Sequence, residues 1–135
     1  MAENTMKLEV ITPERSFYEG DVTFVELNTT EGEVGIYARH IPMTMIVAPG
    51  VLTITESDGN QKKAALLKGF VEVTETTMSI LAEVAEWPED IDIERAKKAE
   101  ERARKRLEGK NADIDIVRAE LALKRALVRK KVINK

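Results

Sequence analysis

The chain contains no cysteine. This absence excludes a disulfide scaffold, thiolate metal sites and a cysteine nucleophile, and it leaves the redox compartment open. A single histidine, His40, is too few for a histidine-based metal centre. No apolar run approaches the ~20 residues of a membrane span, and the opening Met1-Ala-Glu-Asn-Thr-Met-Lys7 has none of the character of a signal peptide. These absences read as a soluble, intracellular protein. Aromatics make up only 4% of the chain, and all of them (Phe17, Tyr18, Phe24, Tyr37, Phe70, Trp87) precede Pro88. Six of the seven glycines and all four prolines also lie at or before position 88. The segment after Pro88 is therefore poor in the residues that make turns and large cores.

Charge divides the chain at the same place. The net charge of -3 hides residues 1–91 with 16 acidic and 6 basic side chains, and residues 92–135 with 8 and 15. Three independent properties shift together, which marks a β-rich part over 1–87 and an appendage over 88–135. At 135 residues the whole suits one small domain with that appendage.

Short alternating runs separated by turn residues fill the first part. Leu8 and Val10 alternate with Lys7 and Glu9 before Pro13, and Thr23, Val25 and Leu27 share a face. Pro49-Gly50 precedes Leu52 and Ile54, and Asp58-Gly59 has the positive-φ preference of a two-residue hairpin turn. Val71 and Val73 follow Gly69, and Met78, Ile80, Ala82 and Val84 form a last face. Seven to ten such strands predict an antiparallel β-sandwich or flattened barrel.

From Asp90 to Leu107 the chain has no Gly, Pro or aromatic and is rich in strong helix formers. Gly109-Lys-Asn-Ala-Asp113 is a break, with Gly109 as C-cap and Asp113 as the next N-cap, and a second helix runs to about Val132. So short a link makes the helices antiparallel neighbours, giving an α+β chain: a sandwich followed by a two-helix hairpin. Ala96, Ala99 and Ala103 on the first helix repeat the spacing of Ala119, Ala122 and Ala126 on the second. A methyl contributes about 0.8 kcal/mol on burial against roughly 1.5–3 for a leucine-sized chain, so this seam predicts a movable hairpin. Leu121, Leu123, Leu127 and Val128 need another surface.

Lys124, Arg125, Arg129, Lys130, Lys131 and Lys135 follow Glu120 with no acid among them. They complement the helix dipole or dock on an acidic partner. The acidic first part, and a second part without stacking aromatics, argue against nucleic acid. Ile-Asp-Ile-x-Arg-Ala occurs twice, at Ile91–Ala96 and Ile114–Ala119. Each copy fits ordinary helix-start grammar. The first stands beside Glu86, Trp87 and Pro88 at the joint, and antiparallel packing would bring Arg125 and Arg129 toward Asp92 and Arg95. That set could hold a base at one end and phosphates at the other. With no Gly-rich phosphate loop, a nucleotide would be sensed and not hydrolysed. Nothing in the spacing of the carboxylates, or in His40, assembles a catalytic site.

Leu8-Glu-Val-Ile-Thr-Pro13, Gly32-Glu-Val-Gly-Ile36 with His40-Ile-Pro42, the Ile91–Ala96 motif and Arg118-Ala-Glu-Leu-Ala-Leu-Lys-Arg-Ala126 resemble, end to end, the epsilon subunit of bacterial rotary ATP synthases. Tyr37-Ala-Arg39 departs from the Pro-Gly turn usual in that family. The resemblance implies a non-catalytic rotor subunit at the cytoplasmic face of the membrane, bound to it only through the complex. The sandwich would bind the gamma subunit and the c-ring, with Glu33 and His40 in the loop facing the ring. The hairpin would lie folded on the sandwich or extend toward the beta and alpha subunits and inhibit ATP hydrolysis. As in the bacilli-like subset, ATP would be a regulatory ligand, with or without magnesium, held by Glu86, Ile91, Asp92, Arg95, Ala96, Arg102, Arg125 and Arg129. The alternative is a free-standing nucleotide-sensing or protein-binding module with a helical arm.

Overall fold

A computed structural model describes residues 4–109 and 113–134. Seven strands come first: β1 (Met6–Ile11), β2 (Ser16–Thr29), β3 (Gly32–Tyr37), β4 (Met43–Val47), β5 (Gly50–Glu56), β6 (Gln61–Val73) and β7 (Thr77–Glu86). A 3-10 turn over Pro88–Asp90 leads to α1 (Ile93–Glu108) and α2 (Asp113–Asn134). The expected sandwich and helix pair are both present. Lys110, Asn111 and Ala112 of the expected link, and the side chains of Asp113, Ile114 and Asp115, lie outside the described residues.

Two long strands carry the chain between the layers. The first half of β2 pairs with β1, and its second half pairs with β5 and β3. Similarly, β6 pairs with β5 along its first half and with β7 and β4 along its second. Every pairing is antiparallel except β1–β7, which is parallel. Leu8, Val10, Val22, Val25, Leu27, Ile36, Leu52, Ile54, Val71, Met78 and Ile80 close the space between the layers as the core.

Bulges explain where strict alternation misleads. The β2 register slips between Val22 and Phe24, so Val22 and not Thr23 joins Val25 and Leu27 in the core. A slip on β7 between Ala82 and Val84 turns Val84 off the face of Met78, Ile80 and Ala82 and onto the side that meets the helices. The β5–β6 connection takes four residues, not two: Gly59 has the expected positive φ of 90°, and the Asn60 amide donates to the Asp58 carboxylate at 2.9 Å. Gly69 lies inside β6, and a Cβ there would come within 2.6 Å of the Leu81 carbonyl oxygen.

The apolar run Ala64-Ala65-Leu66-Leu67 is buried throughout because both of its faces are covered. Ala64 and Leu66 face the core, while Ala65 and Leu67 meet Val132 of α2, with Val51, Val84, Ile91 and Val128 around them. Between the helices, Ala96 and Ala103 of α1 and Ala119 and Ala126 of α2 are buried as the seam requires. Leu121 and Leu127 remain exposed at 38% and 39%. Among the described residues, no helix is long and apolar enough to cross a membrane.

Candidate functional site

The chain leaves the sandwich in a fixed direction. The Trp87 ring stacks on Phe17 at 4.3 Å and meets Tyr18 edge-on at 6.4 Å. Pro88 starts the 3-10 turn, and Arg15 pairs with Asp90 at 3.7 Å from the β1–β2 loop. Pinning the joint this way sets where α1 begins. Asp92 is its N-cap, accepting from the Arg95 amide at 3.1 Å. The helix-start reading of the motif is therefore realised, and it leaves the rest of the motif to face a cleft.

That cleft, of about 410 Å³, lies among the end of β7, the joint, α1 and α2. Glu86, Ile91, Asp92, Arg95, Ala96, Arg102 and Arg129 line it, with Asp90 and Ala99. Seven of the eight residues assigned to a nucleotide by resemblance thus stand together. Arg125 does not line the cleft. It precedes Arg129 by four residues, a step that leaves it about 40° further round the helix and a turn further from the start of α1.

The charges within the cleft are unevenly matched. Glu86 and Arg129 form a two-pronged pair across the joint, Nε to Oε1 at 2.7 Å and Nη2 to Oε2 at 3.1 Å. This geometry ties the sandwich directly to α2. Arg95 and Arg102 make no ion pair among the described residues. Two free guanidinium groups beside a small-residue wall of Ala96 and Ala99 suit an anionic ligand with a flat apolar end. Larger hollows of about 570 and 700 Å³ lie elsewhere, the first between the sandwich and Lys131 of α2, but each is lined by lysines and gathers no arginines.

A second tie closes the hairpin on itself. Glu100 of α1 accepts from Lys130 of α2 at 2.7 Å and from Arg104 Nε at 3.0 Å. Those two cations hold the Glu100 carboxyl below the usual glutamate range, Lys130 having the larger effect. On the opposite side of the joint, Tyr18 Oη donates to Glu56 at 2.6 Å. Burial, aided by that carboxylate, pushes its phenol above the usual tyrosine range. Among the described residues no cluster of acids and histidine could hold a metal ion.

Glu33 and His40 do not share a loop. Glu33 lies near the start of β3 and His40 beyond its end. Four residue steps of β3 carry the chain about 13 Å from Glu33 to Tyr37, at ~3.3 Å per residue, before the turn that leads to His40. Glu33 lines the 570 Å³ hollow with Phe24 and Lys131, whereas His40 Nδ1 lies 2.9 Å from the Ile41 carbonyl oxygen.

The outer face of the sandwich carries a feature that no local pattern announces. Ile46, Phe70, Leu81 and Ile11 stand in register on β4, β6, β7 and β1. They are exposed by 58%, 43%, 53% and 36%, an uncovered apolar row across four strands. Beside it runs a polar row in the same register, Thr44, Glu72, Ser79 and Glu9.

Comparison with known proteins follows the same two-part division. The family model "ATP synthase, Delta/Epsilon chain, beta-sandwich domain" matches residues 5–88. "ATP synthase, Delta/Epsilon chain, long alpha-helix domain" matches residues 89–134. The chain is 45% identical over 133 residues to the ATP synthase epsilon chain of Caldanaerobacter subterraneus subsp. tengcongensis, covering 98% of this chain and 96% of that one. It is 47% identical over 125 residues to the ATP synthase epsilon chain of Shouchella clausii, covering 93% and 92%. A chain in the cryo-EM structure of the Euglena gracilis mitochondrial ATP synthase matches with a TM-score of 0.84 at 24% identity, covering 96% of this chain and 81% of that one. One in the central stalk and c-ring of the Tetrahymena thermophila mitochondrial enzyme matches with a TM-score of 0.62 at 16% identity, covering 95% and 96%. At those identities the structural likeness is one of fold.

Proposed function

The chain belongs to the ATP synthase delta/epsilon family, and from that premise we propose that it is a non-catalytic central-stalk subunit whose helical arm regulates ATP hydrolysis. The sandwich docks on the gamma subunit and sits on the c-ring, at the cytoplasmic face of the membrane. The uncovered row of Ile46, Phe70, Leu81 and Ile11 supports a docking role, because an apolar strip this long across a sheet needs a partner. Regulation belongs to α1 and α2. Folded on the sandwich, they are silent; extended toward the beta and alpha subunits, they inhibit hydrolysis.

The observation that carries the regulatory reading is the cleft at the joint. It exists only while the arm is folded, since β7, α1 and α2 each supply part of its wall. An anion bound to Arg95, Arg102 and Arg129 therefore stabilises the folded arm by its differential affinity for the two states. ATP, with or without magnesium, is the ligand proposed: phosphates on the arginines, base toward Ile91, Asp92 and Ala96. A seam of alanines makes the equilibrium easy to shift.

Deleting residues 92–135 tests the division of labour. The truncated chain should still assemble with gamma, and the complex should hydrolyse ATP faster than one with the full chain. Loss of assembly on truncation would refute the assignment of docking to the sandwich.

A further inference from the structure

Glu86 is the last residue of β7, and it stands directly opposite Ala65 on β6. Ala65 is one of the two sheet residues on which Val132 of α2 is buried. Arg129 precedes Val132 by three residues, a spacing that puts both on one face of the helix. One cross-strand pair of the sheet therefore receives one pair of helix neighbours, an ionic contact beside an apolar one. Glu86–Arg129 is also the only ion pair among the described residues that joins a strand to either helix.

Resemblance alone puts Glu86 on the nucleotide, but the geometry turns it the other way. Both carboxylate oxygens face Arg129, Oε1 at 2.7 Å from Nε and Oε2 at 3.1 Å from Nη2. Such a fork fixes the plane of the guanidinium as well as its position. It uses one edge of that group and leaves the Nη1 N–H donors, on a side chain that lines the cleft. The two side chains are 27% and 30% exposed. Lys7–Glu19, Arg15–Asp90 and Lys68–Glu83 are pairs whose partners are all more than half exposed, so solvent weakens them more. An unpaired carboxylate at this place would oppose any phosphate in the cleft, and the fork cancels its charge.

We propose that Glu86 is a positioning residue: it clasps Arg129 so that the arm closes without a ligand, and it acts on the nucleotide only through that guanidinium. Its action on the nucleotide rests on the reading of the cleft as an ATP site, whereas the clasp is a property of the ligand-free chain. Closure in advance matters because apparent affinity is reduced by the fraction of chains in the competent, folded state. Loosening the clasp therefore weakens ATP binding by no more than it loosens the arm. Losing a direct contact would instead weaken ATP binding and leave the ligand-free arm as it was.

Four variants of the full chain separate the two roles: Glu86→Gln, Arg129→Gln, both together, and the reversal Glu86→Arg with Arg129→Glu. Each is measured for helix amide exchange without ligand and for ATP Kd by calorimetry. Glu86→Gln should speed helix exchange about tenfold with the sheet amides unchanged, the scale expected for losing hydrogen bonds between charged groups. Its ATP Kd should rise by no more than the same factor. The double variant should exchange no faster than the more affected single one, because either change alone breaks the pair. The reversal should recover part of the lost ligand-free protection. Unchanged ligand-free exchange in Glu86→Gln overturns the proposal. So does an ATP Kd that rises tenfold beyond the change in exchange, since Glu86 would then touch the nucleotide. Strands that lose protection together with the helices in Glu86→Gln overturn it as well, since the pair would then support the whole fold and not the arm. If the parent binds no ATP, the nucleotide reading falls by itself, and exchange in the ligand-free variants still decides whether Glu86 holds the arm.

Discussion

Val132→Ala tests how weakly the arm is held. Val132 is 1% exposed against Ala65 and Leu67, and these three are the fully buried members of the cluster that joins α2 to the sheet. Removing two methyl groups forfeits about 0.8 kcal/mol each, or about 1.6 kcal/mol in all. That lowers the ratio of docked to undocked arm roughly fifteenfold. Amide hydrogen exchange of the full chain reads the change, because an undocked pair of short helices joined by an alanine seam is marginal and frays while the strands stay protected. Exchange in the helices should accelerate about fifteenfold with the sheet amides unchanged. A ligand specific to the folded arm contributes about 2.7 kcal/mol at 100 times its dissociation constant. This exceeds the loss, so ATP at that level should return the helices of the variant to at least the protection of the ligand-free parent. The reasoning is refuted if helices and strands lose protection together, since arm and sandwich would then be one cooperative unit. It is also refuted if ATP leaves helix exchange unchanged.

Other perturbations separate contributions that overlap in the folded state. Asp92→Asn keeps a residue able to cap α1, whereas Asp92→Ala removes about 1 kcal/mol of capping, so ATP affinity should fall about tenfold in both but helix stability only in the alanine variant, as calorimetry and circular dichroism will show. Glu100 has its carboxyl held low by Lys130 and Arg104, so its contribution to hairpin closure is complete above the ordinary glutamate pKa of 4.5 and is lost as pH falls through the depressed value. Glu100→Gln should remove that acid dependence from helix exchange. Lys124, Arg125 and Lys131 make no ion pair in the folded arm among the described residues, whereas Arg129 and Lys130 do. Neutralising the first three should weaken inhibition of hydrolysis without loosening the folded arm, and added salt should weaken inhibition by the parent, exposed charges being screened over about 10 Å at 0.1 M.

Local pattern carried the architecture a long way. The loss of glycine, proline and aromatics after Pro88 falls between the end of β7 at Glu86 and the start of α1 at Ile93, and the alanine spacing located a seam in which Ala96, Ala103, Ala119 and Ala126 are buried. Alternation failed where the backbone inserts a residue, as at Thr23 and Val84, because a bulge shifts the phase without leaving a mark in the side chains. The cleft was partly legible, since Asp92 and Arg95 belong to one helix start. The pairing of Glu86 with Arg129 was not, because 43 residues separate them and only the tertiary fold brings them together. Arg125 and Arg129 share a helix face in sequence, but the 40° offset between them decides which one reaches the joint. The row of Ile46, Phe70, Leu81 and Ile11 is assembled from four strands, each contributing one residue that alone reads as an ordinary exposed apolar side chain. Composition says nothing of the contacts around the joint. Trp87 is stacked on Phe17, and Asp90 is paired with Arg15 only at the surface.

The central question is whether a nucleotide holds the arm against the sandwich. Titrating ATP into the isolated full chain by calorimetry, with the Arg95→Ala and Arg102→Ala double variant alongside, measures this most directly. One ATP should bind per chain, and the double variant, which keeps the Glu86–Arg129 pair and the Asp92 cap, should bind at least tenfold more weakly. Equal affinity in parent and double variant, or no heat of binding in the parent, would contradict it.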